Sequence, residues 1–464
     1  MKIKQKRTVS RSKVEQMTSS LRDQIRTGLL KPEEFLPSEL ALCKQYNLSN
    51  ITVRKGLDIL VSEGYIEKVP RIGTRVILQH KTADVVLRFG YYSSFIQETH
   101  MFEMLESFQQ KHPNIQVQPV GIRFPYDNDQ TKIRSIVESN DVLMINAFNF
   151  EQMVGLPGSV HTDIESILEP LQSKQNTFPF LDSMFTRDGI LYGQAYVFSP
   201  VVLCYNKDHF KEQQLSEPDS SWTWDDVKEV GTLLSKNSNR FGLYFHLPAE
   251  TRWLLFLLQN GVRFERGKNN KYNLHEAKLI ESLKCIKDIV SDRALFPSFF
   301  SDNESDETSL FINQKISMVL TAYDRLYQFH EAPFTYDIAP LPYLNQPKTL
   351  LNSIALTISA QSQNKMAAQI LIDYMLSYES QVEIRKHTTR IPALKRAAEW
   401  SGEEKLTNRP SRFLLFRDII PTFHSYLDLN MSYTDLVIMR DELKYYWSGM
   451  DSLEIVLQRL EEKL

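Results

Sequence analysis

Residues 49–64 read SNITVRKGLDILVSEG. A serine suited to capping a helix is followed by Val53, Leu57, Leu60 and Val61 at spacings i, i+4, i+7 and i+8, and Gly64 closes the run. The spacing predicts a helix with one aliphatic stripe. Its early outer face carries Asn50, Ile51, Thr52, Arg54 and Lys55. A helix entering the major groove of DNA needs small polar and basic groups at that end, which meets base edges and phosphates.

The flanking residues complete a unit around this helix. From Lys13 the apolar positions Val14, Met17, Leu21 and Ile25 recur at spacings of three and four, until Gly28 and Pro32 stop the pattern. In LPSELALCKQY, Ser38 is a good N-cap and Glu39 sits where the helix dipole favours an acid. After Gly64, YIEKV and TRVIL flank PRIG, a hairpin in which Gly73 permits a tight turn and Arg71 projects outward. Three helices and a hairpin make a winged helix-turn-helix of α+β type.

Residues 1–78 resemble the GntR family of bacterial regulators in LPSELA, in SNITVRKGLDILVSEGYIEK and in the wing RIGTRV. By that resemblance Ser38, Ser49, Thr52 and Arg54 lie at positions that touch DNA in the family, with Gly73 and Thr74 at the wing tip. Asn50, Lys55 and Arg71 join them as candidate DNA contacts from their own chemistry. Ser38 and Ser49 are equally explained as helix caps. Leu40 stands where the family usually has a basic residue, and Arg71 where its Gly-x-Gly-Thr wing has the first glycine, so the expected operator differs from the common one.

The charge balance agrees with a split chain. Residues 1–80 carry 15 Lys plus Arg against 8 Asp plus Glu, a balance of +7, whereas the whole chain of 464 residues has −3, leaving −10 for the rest. Only the head suits a polyanion. No apolar run of membrane-spanning length occurs, and the basic N-terminus lacks the apolar segment of a secretion signal, so a cytoplasmic location is expected. Cys43, Cys204 and Cys285 are odd in number and far apart, as reduced core thiols are.

A short joint, QHKTAD at 79–84, leads to a body expected over 85–464. Strand-like and helix-like runs alternate there: VVLRFGYYSS, MFEMLESFQQKH, IQVQPV, TKIRSIVES, DVLMINAF. In SWTWDDVKEVGTLLSK, Thr223 and Asp226 form a capping box before the stripe Val227, Val230 and Leu234.

In FQQKHPNIQVQPV, NDVLMINAF, LYGQAYVFSPVVLCYNKDHF, WTWDDV, FINQKISMVL, APLP and TTRIPAL, in that order, the body resembles the type 1 extracellular solute-binding proteins that serve sugar importers. The resemblance implies a two-lobed α/β periplasmic-binding-protein-like (type 2) domain, with a ligand cleft and a chain that crosses between lobes more than once. Sugars offer CH faces and hydroxyl rims, which call for aromatic platforms beside amides and carboxylates. Tyr92, Ser93, Asn146 and Tyr196 sit just past or beside strand-like runs, where open α/β sheets bind ligands. Trp253, Tyr323, Asp324 and Asn352 lie where cleft residues of the resembled family commonly fall.

No paired cysteines, H-x-x-x-H, G-x-S-x-G, phosphate loop or G-x-G-x-x-G occurs, so no catalytic or metal-ligating residue is nominated and no cofactor is expected. SDNESDE alternates Asp302, Glu304 and Asp306 as calcium loops do, but lacks their glycine and final acid, so a solvated loop is expected. The alternatives are a body that only dimerises or docks, and a pyridoxal-phosphate aminotransferase-like body, whose active site matches no stretch here. The expected assembly is a homodimer on a two-fold related DNA operator, with a small solute, a sugar or oligosaccharide, as effector.

Overall fold

Val53, Leu57 and Leu60 are buried on one side of the helix Asn50–Ser62, against Met17, Leu21, Leu36 and Leu42. This is the core of the first unit, residues 1–84, in a computed structural model. The structure describes residues 33–62, 65–70, 72–77, 85–93, 95, 100–125, 129–155, 164–171, 176–236, 238–267, 269, 271–297, 305–403 and 408–464, and before these only positions 14, 17, 18, 20, 21, 24, 25 and 30. Lys13, Gly28, Pro32, Gly64, Arg71, Asp302, Glu304 and the joint 79–84 lie outside the described residues.

Val61, expected on the buried stripe, is exposed. Eight residues advance a helix about 80° beyond two full turns, which carries Val61 off the stripe that Val53 and Leu57 define. Ser38 caps the preceding helix, Glu39–Tyr46, by accepting the Ala41 N–H at 3.2 Å. Strand Ile66–Val69 pairs antiparallel with Gly73–Val76, and Phe35 bridges to Arg75 from the other side. Gly73 has φ 152°, a conformation that favours glycine, and a Cβ there would press on the Phe35 ring at 3.3 Å.

The second unit, residues 85–464, is built on one sheet that runs through both lobes. In the first lobe Ile115–Ile122, Val85–Tyr92 and Val142–Asn146 lie side by side and parallel. Helices Met101–Lys111 and Lys365–Met375 cover one face of these strands, burying Phe108, Leu371 and Met375 against Leu87 and Phe89. In the second lobe Ile316–Ala322 pairs with Phe241–Tyr244.

Two long strands join the lobes. Thr349–Ile358 pairs with Val142–Asn146 through its last five residues and with Gly193–Asn206 along its length. The far half of Gly193–Asn206, all of it buried, pairs instead with Ile316–Ala322 and Tyr336–Ala339. A register shift at Ile354 and Ala355 marks the crossing. The resembled two-lobed α/β architecture is thus present, with strands shared between the lobes.

In the second lobe the capping box at Thr223 and Asp226 forms at the start of helix Trp224–Ser235. Gly231 of that helix packs on Gly242 so closely that a Cβ on Gly242 would lie 2.3 Å from the Gly231 carbonyl oxygen. Beyond residue 400, which carried few of the sequence signals, helices Tyr433–Ser448 and Leu453–Lys463 pack on one another, with Glu442 holding both Arg459 and Lys463. Asp306 and Glu307 lie in the first turn of helix Ser305–Ile312.

Candidate functional site

On the head, Asn50, Arg54 and Lys55 are exposed and Thr52 is half-buried. Ser49 and Thr52 hydroxyls are 2.7 Å apart, and the Thr52 N–H donates to Ser49 Oγ, so both serines of the sequence reading act as caps with their surfaces exposed. Arg54 Nε donates to Glu39 Oε2 at 2.7 Å, tying the two helices of the helix-turn-helix through an exposed pair. Ile51, beside these groups, is 72% exposed. Gly73 and Thr74 open the second wing strand, paired with Val69 and Lys68, and Ile72 just before them is exposed.

In the body a cavity of about 490 Å³ opens between the lobes. From the first lobe come Tyr92, Phe124 and Phe148, from the second Glu250, Arg252 and Asp324, and Asn352 lies on a crossing strand. The Tyr92 hydroxyl donates to Asn149 Oδ1 at 2.6 Å and accepts the Asn146 N–H at 3.0 Å, and burial raises its pKa. Phe148 stacks on Tyr426 at 4.3 Å and leans on Tyr433 at 5.0 Å, so the aromatic wall is fixed from behind.

The polar wall is also braced. Arg252, 2% exposed, donates to Leu320 O at 3.0 Å and to Thr251 Oγ1 at 2.6 Å, and pairs with buried Glu307 at 3.4 Å. Burial, with Arg252 and Arg325 beside it, lowers the His246 pKa to about 4 and keeps that ring neutral. Ser199 Oγ donates to Asp324 Oδ1 at 2.9 Å, and Arg390 spreads over the Phe95 ring at 3.9 Å. Asn352 Oδ1 is buried and accepts no hydrogen bond from the protein.

Of the eight residues expected in the cleft, Tyr92, Ser93, Asn146, Asp324 and Asn352 line this cavity. Tyr196, Trp253 and Tyr323 do not, and their expected placement is corrected. Tyr196 is the extra residue at the bulge opposite Ile354 and Ala355 and lies in the first-lobe core, with its hydroxyl on Met104 Sδ at 3.6 Å. Trp253 is one position past the cleft-facing Arg252 and turns inward towards Trp447. Tyr323 is fully buried and donates to Phe413 O at 3.0 Å, leaving the cleft to its neighbour Asp324.

The sequence reading missed the arginines and the C-terminal tyrosine. Arg252 directly precedes Trp253 and Arg390 sat inside TTRIPAL, both already singled out, but the expected platforms were aromatic. Tyr433 follows Ser432, a helix cap with no link in sequence to the cleft.

The family described as "Bacterial extracellular solute-binding protein" matches residues 103–413, most of the body. The chain belongs to the bacterial extracellular solute-binding protein family. In the same chain, residues 13–76 match "Bacterial regulatory proteins, gntR family".

Among curated relatives, the arabinooligosaccharide-binding protein of Bacillus subtilis (strain 168) is 24% identical over 245 residues, covering 50% of this chain and 54% of that protein. The head is 37% identical over 84 residues to the uncharacterized HTH-type transcriptional regulator YurK of the same organism, covering 18% of this chain and 34% of the regulator. The chain therefore spans about half, or less, of these two relatives.

Among solved structures, the substrate-binding protein Lmo0181 of Listeria monocytogenes in complex with cycloalternan shares the fold with TM-score 0.65 and 21% identity, over 82% of this chain and 97% of that one. Maltose-bound MalE3 of T. maritima does so with TM-score 0.67 and 15% identity, over 82% and 98%. A solute-binding body replaces the aminotransferase-like alternative. Among the described residues no helix is long and apolar enough to cross a membrane, and no group of three or more His, Cys, Asp or Glu is placed to hold a metal.

Proposed function

We propose that this chain is a transcription regulator of the cytoplasm whose DNA binding is set by a small solute held in its body. The observation that carries this is the joining, in one chain, of a gntR-type head to a solute-binding family body with a polar interlobe cavity. The head binds a double-stranded operator through Asn50, Thr52, Arg54 and Lys55, with Ser38, Ser49, Arg71, Gly73 and Thr74 at the phosphate backbone and wing. A single winged helix reads few base pairs, so two copies on a two-fold related site are required for useful affinity.

The effector is a sugar or oligosaccharide. Supporting this, the cavity offers aromatic faces at Tyr92, Phe124 and Phe148 beside amides at Asn146 and Asn352, the combination that CH faces and hydroxyl rims need. Arabinooligosaccharide, cycloalternan and maltose appear in the names of the similar proteins. Lobe closure on the ligand alters the geometry of paired heads and thereby the operator affinity.

The experiment is a selection of genomic fragments by the full chain, followed by binding titrations on the recovered site. A discrete sequence bound at nanomolar protein, and weakened by about 1 to 3 kcal/mol in Arg54→Ala, supports the assignment. Binding that is equally tight to any duplex and unchanged in Arg54→Ala refutes it.

A further inference from the structure

The cleft is basic for a sugar site. Its lining holds four guanidinium groups, Arg123, Arg252, Arg325 and Arg390, against two carboxylates, Glu250 and Asp324. Both carboxylates are already engaged, and so are two of the guanidinium groups, Arg252 on Glu307 and Arg390 on Asp324. With Arg440 and Glu307 counted, five guanidinium groups face three carboxylates, an excess of two. Glu250 accepts from Arg440 Nη1 at 2.6 Å and from the Tyr433 hydroxyl at 3.3 Å, while Asp324 is held by Ser199 and Arg390. Neither needs a cationic ligand.

Helix ends add to the same field. Helices Ala147–Val154, Glu250–Gln259 and Tyr433–Ser448 all begin at the cavity wall, with Phe148 and Asn149, Glu250 to Arg252, and Tyr433 respectively lining it. Each presents the positive end of its dipole there, and the Glu250–Gln259 helix has Ala249 at its cap, which supplies no side-chain acceptor. Asn352 Oδ1, buried and without a partner, asks for a hydroxyl or amide donor.

We propose that the ligand is a saccharide bearing an anionic group, its hydroxyls serving acceptors such as Asn352 and its charge meeting the guanidinium groups. Carboxylate, phosphate ester and sulfate ester share this chemistry. This rests on the body being a sugar receptor, and it adds the charge class of the ligand.

Calorimetric titration of the full chain with matched probes tests it. Charged probes are glucuronic acid, glucose 6-phosphate, glucose 6-sulfate and trigalacturonic acid, and their neutral counterparts are glucose for the glucose derivatives and α-1,4-galactotriose for the uronate trimer. The expected result is that at least one charged probe binds about tenfold or more tighter than its neutral counterpart, with an affinity that falls as salt is raised. Which one does so identifies the source of the charge. Arg325→Gln is expected to narrow that gap. Neutral probes binding as tightly as charged ones would overturn the charge requirement and leave the receptor assignment standing. No binding by any saccharide would overturn both.

Discussion

Arg390 Nη1 lies 3.5 Å from Asp324 Oδ2, and the two residues come from different lobes. Arg390 precedes the short strand Ile391–Pro392 and rests on Phe95 in the first lobe, whereas Asp324 follows the second-lobe strand Ile316–Ala322. The pair spans the cleft where the shared strands cross, so whatever binds there acts on a contact between the lobes.

Breaking that contact from one side takes a carboxylate away from a buried charge. Arg390 is 5% exposed, and Asp324→Ala would leave it without its carboxylate. The expected loss of stability is about 2 to 3 kcal/mol, read by urea denaturation of the full chain. An unchanged midpoint would show that the lobes do not depend on the pair.

Arg54→Ala is expected to separate recognition from folding. Its pair with Glu39 is exposed on both sides, and exposed pairs contribute little to stability. The melting temperature should hold while specific operator binding weakens by about 1 to 3 kcal/mol, measured by fluorescence anisotropy. A drop in melting temperature with intact operator binding would reverse these roles.

Glu151 predicts a pH dependence. Burial pushes its pKa up to about 7, although the Tyr433 N–H at 3.0 Å, the Tyr426 hydroxyl at 3.4 Å and nearby Arg187 favour the charged form. The folded chain therefore holds this proton more tightly than the unfolded one. The stabilisation is fully present below the unfolded pKa and is lost as pH rises through the folded value, with a fall of about 2 kcal/mol between about pH 5.5 and about pH 8. Glu151→Gln should flatten that portion of the curve in urea titrations at the two pH values, and an equally steep curve in the variant would assign the effect elsewhere.

Gly242→Ala tests the tightest packing in the second lobe. The added Cβ would meet the Gly231 backbone at 2.3 to 2.5 Å, and backbone cannot rotate away as a side chain can. The expected cost is about 1 to 3 kcal/mol, seen as a lower melting temperature in calorimetry. No shift would mean that helix Trp224–Ser235 moves off its strand at little cost.

The elements were readable where local chemistry decides them. Ser38, Ser49 and the Thr223–Asp226 box capped helices as their residue types require, and the runs at Val85, Ile115 and Val142 became strands. Asp324 and Asn352 lie at the cavity wall. What was hidden depends on side-chain direction within an element. Trp253 differs from the cleft-facing Arg252 by one position, and a single step turns the facing by about 100° in a helix, whereas Tyr196 falls at a bulge on a strand whose residues are not among those lining the cavity. Arg440 and Tyr433 reach the site only because the C-terminal helix folds back on it, a contact far apart in sequence from Glu250.

The most direct test of the account is operator affinity measured by anisotropy with and without a saccharide shown by calorimetry to bind the same full chain. The account predicts that saturating ligand changes the operator dissociation constant by about 5-fold to about 150-fold, in either direction. A ligand that binds the body and leaves that constant unchanged would contradict it.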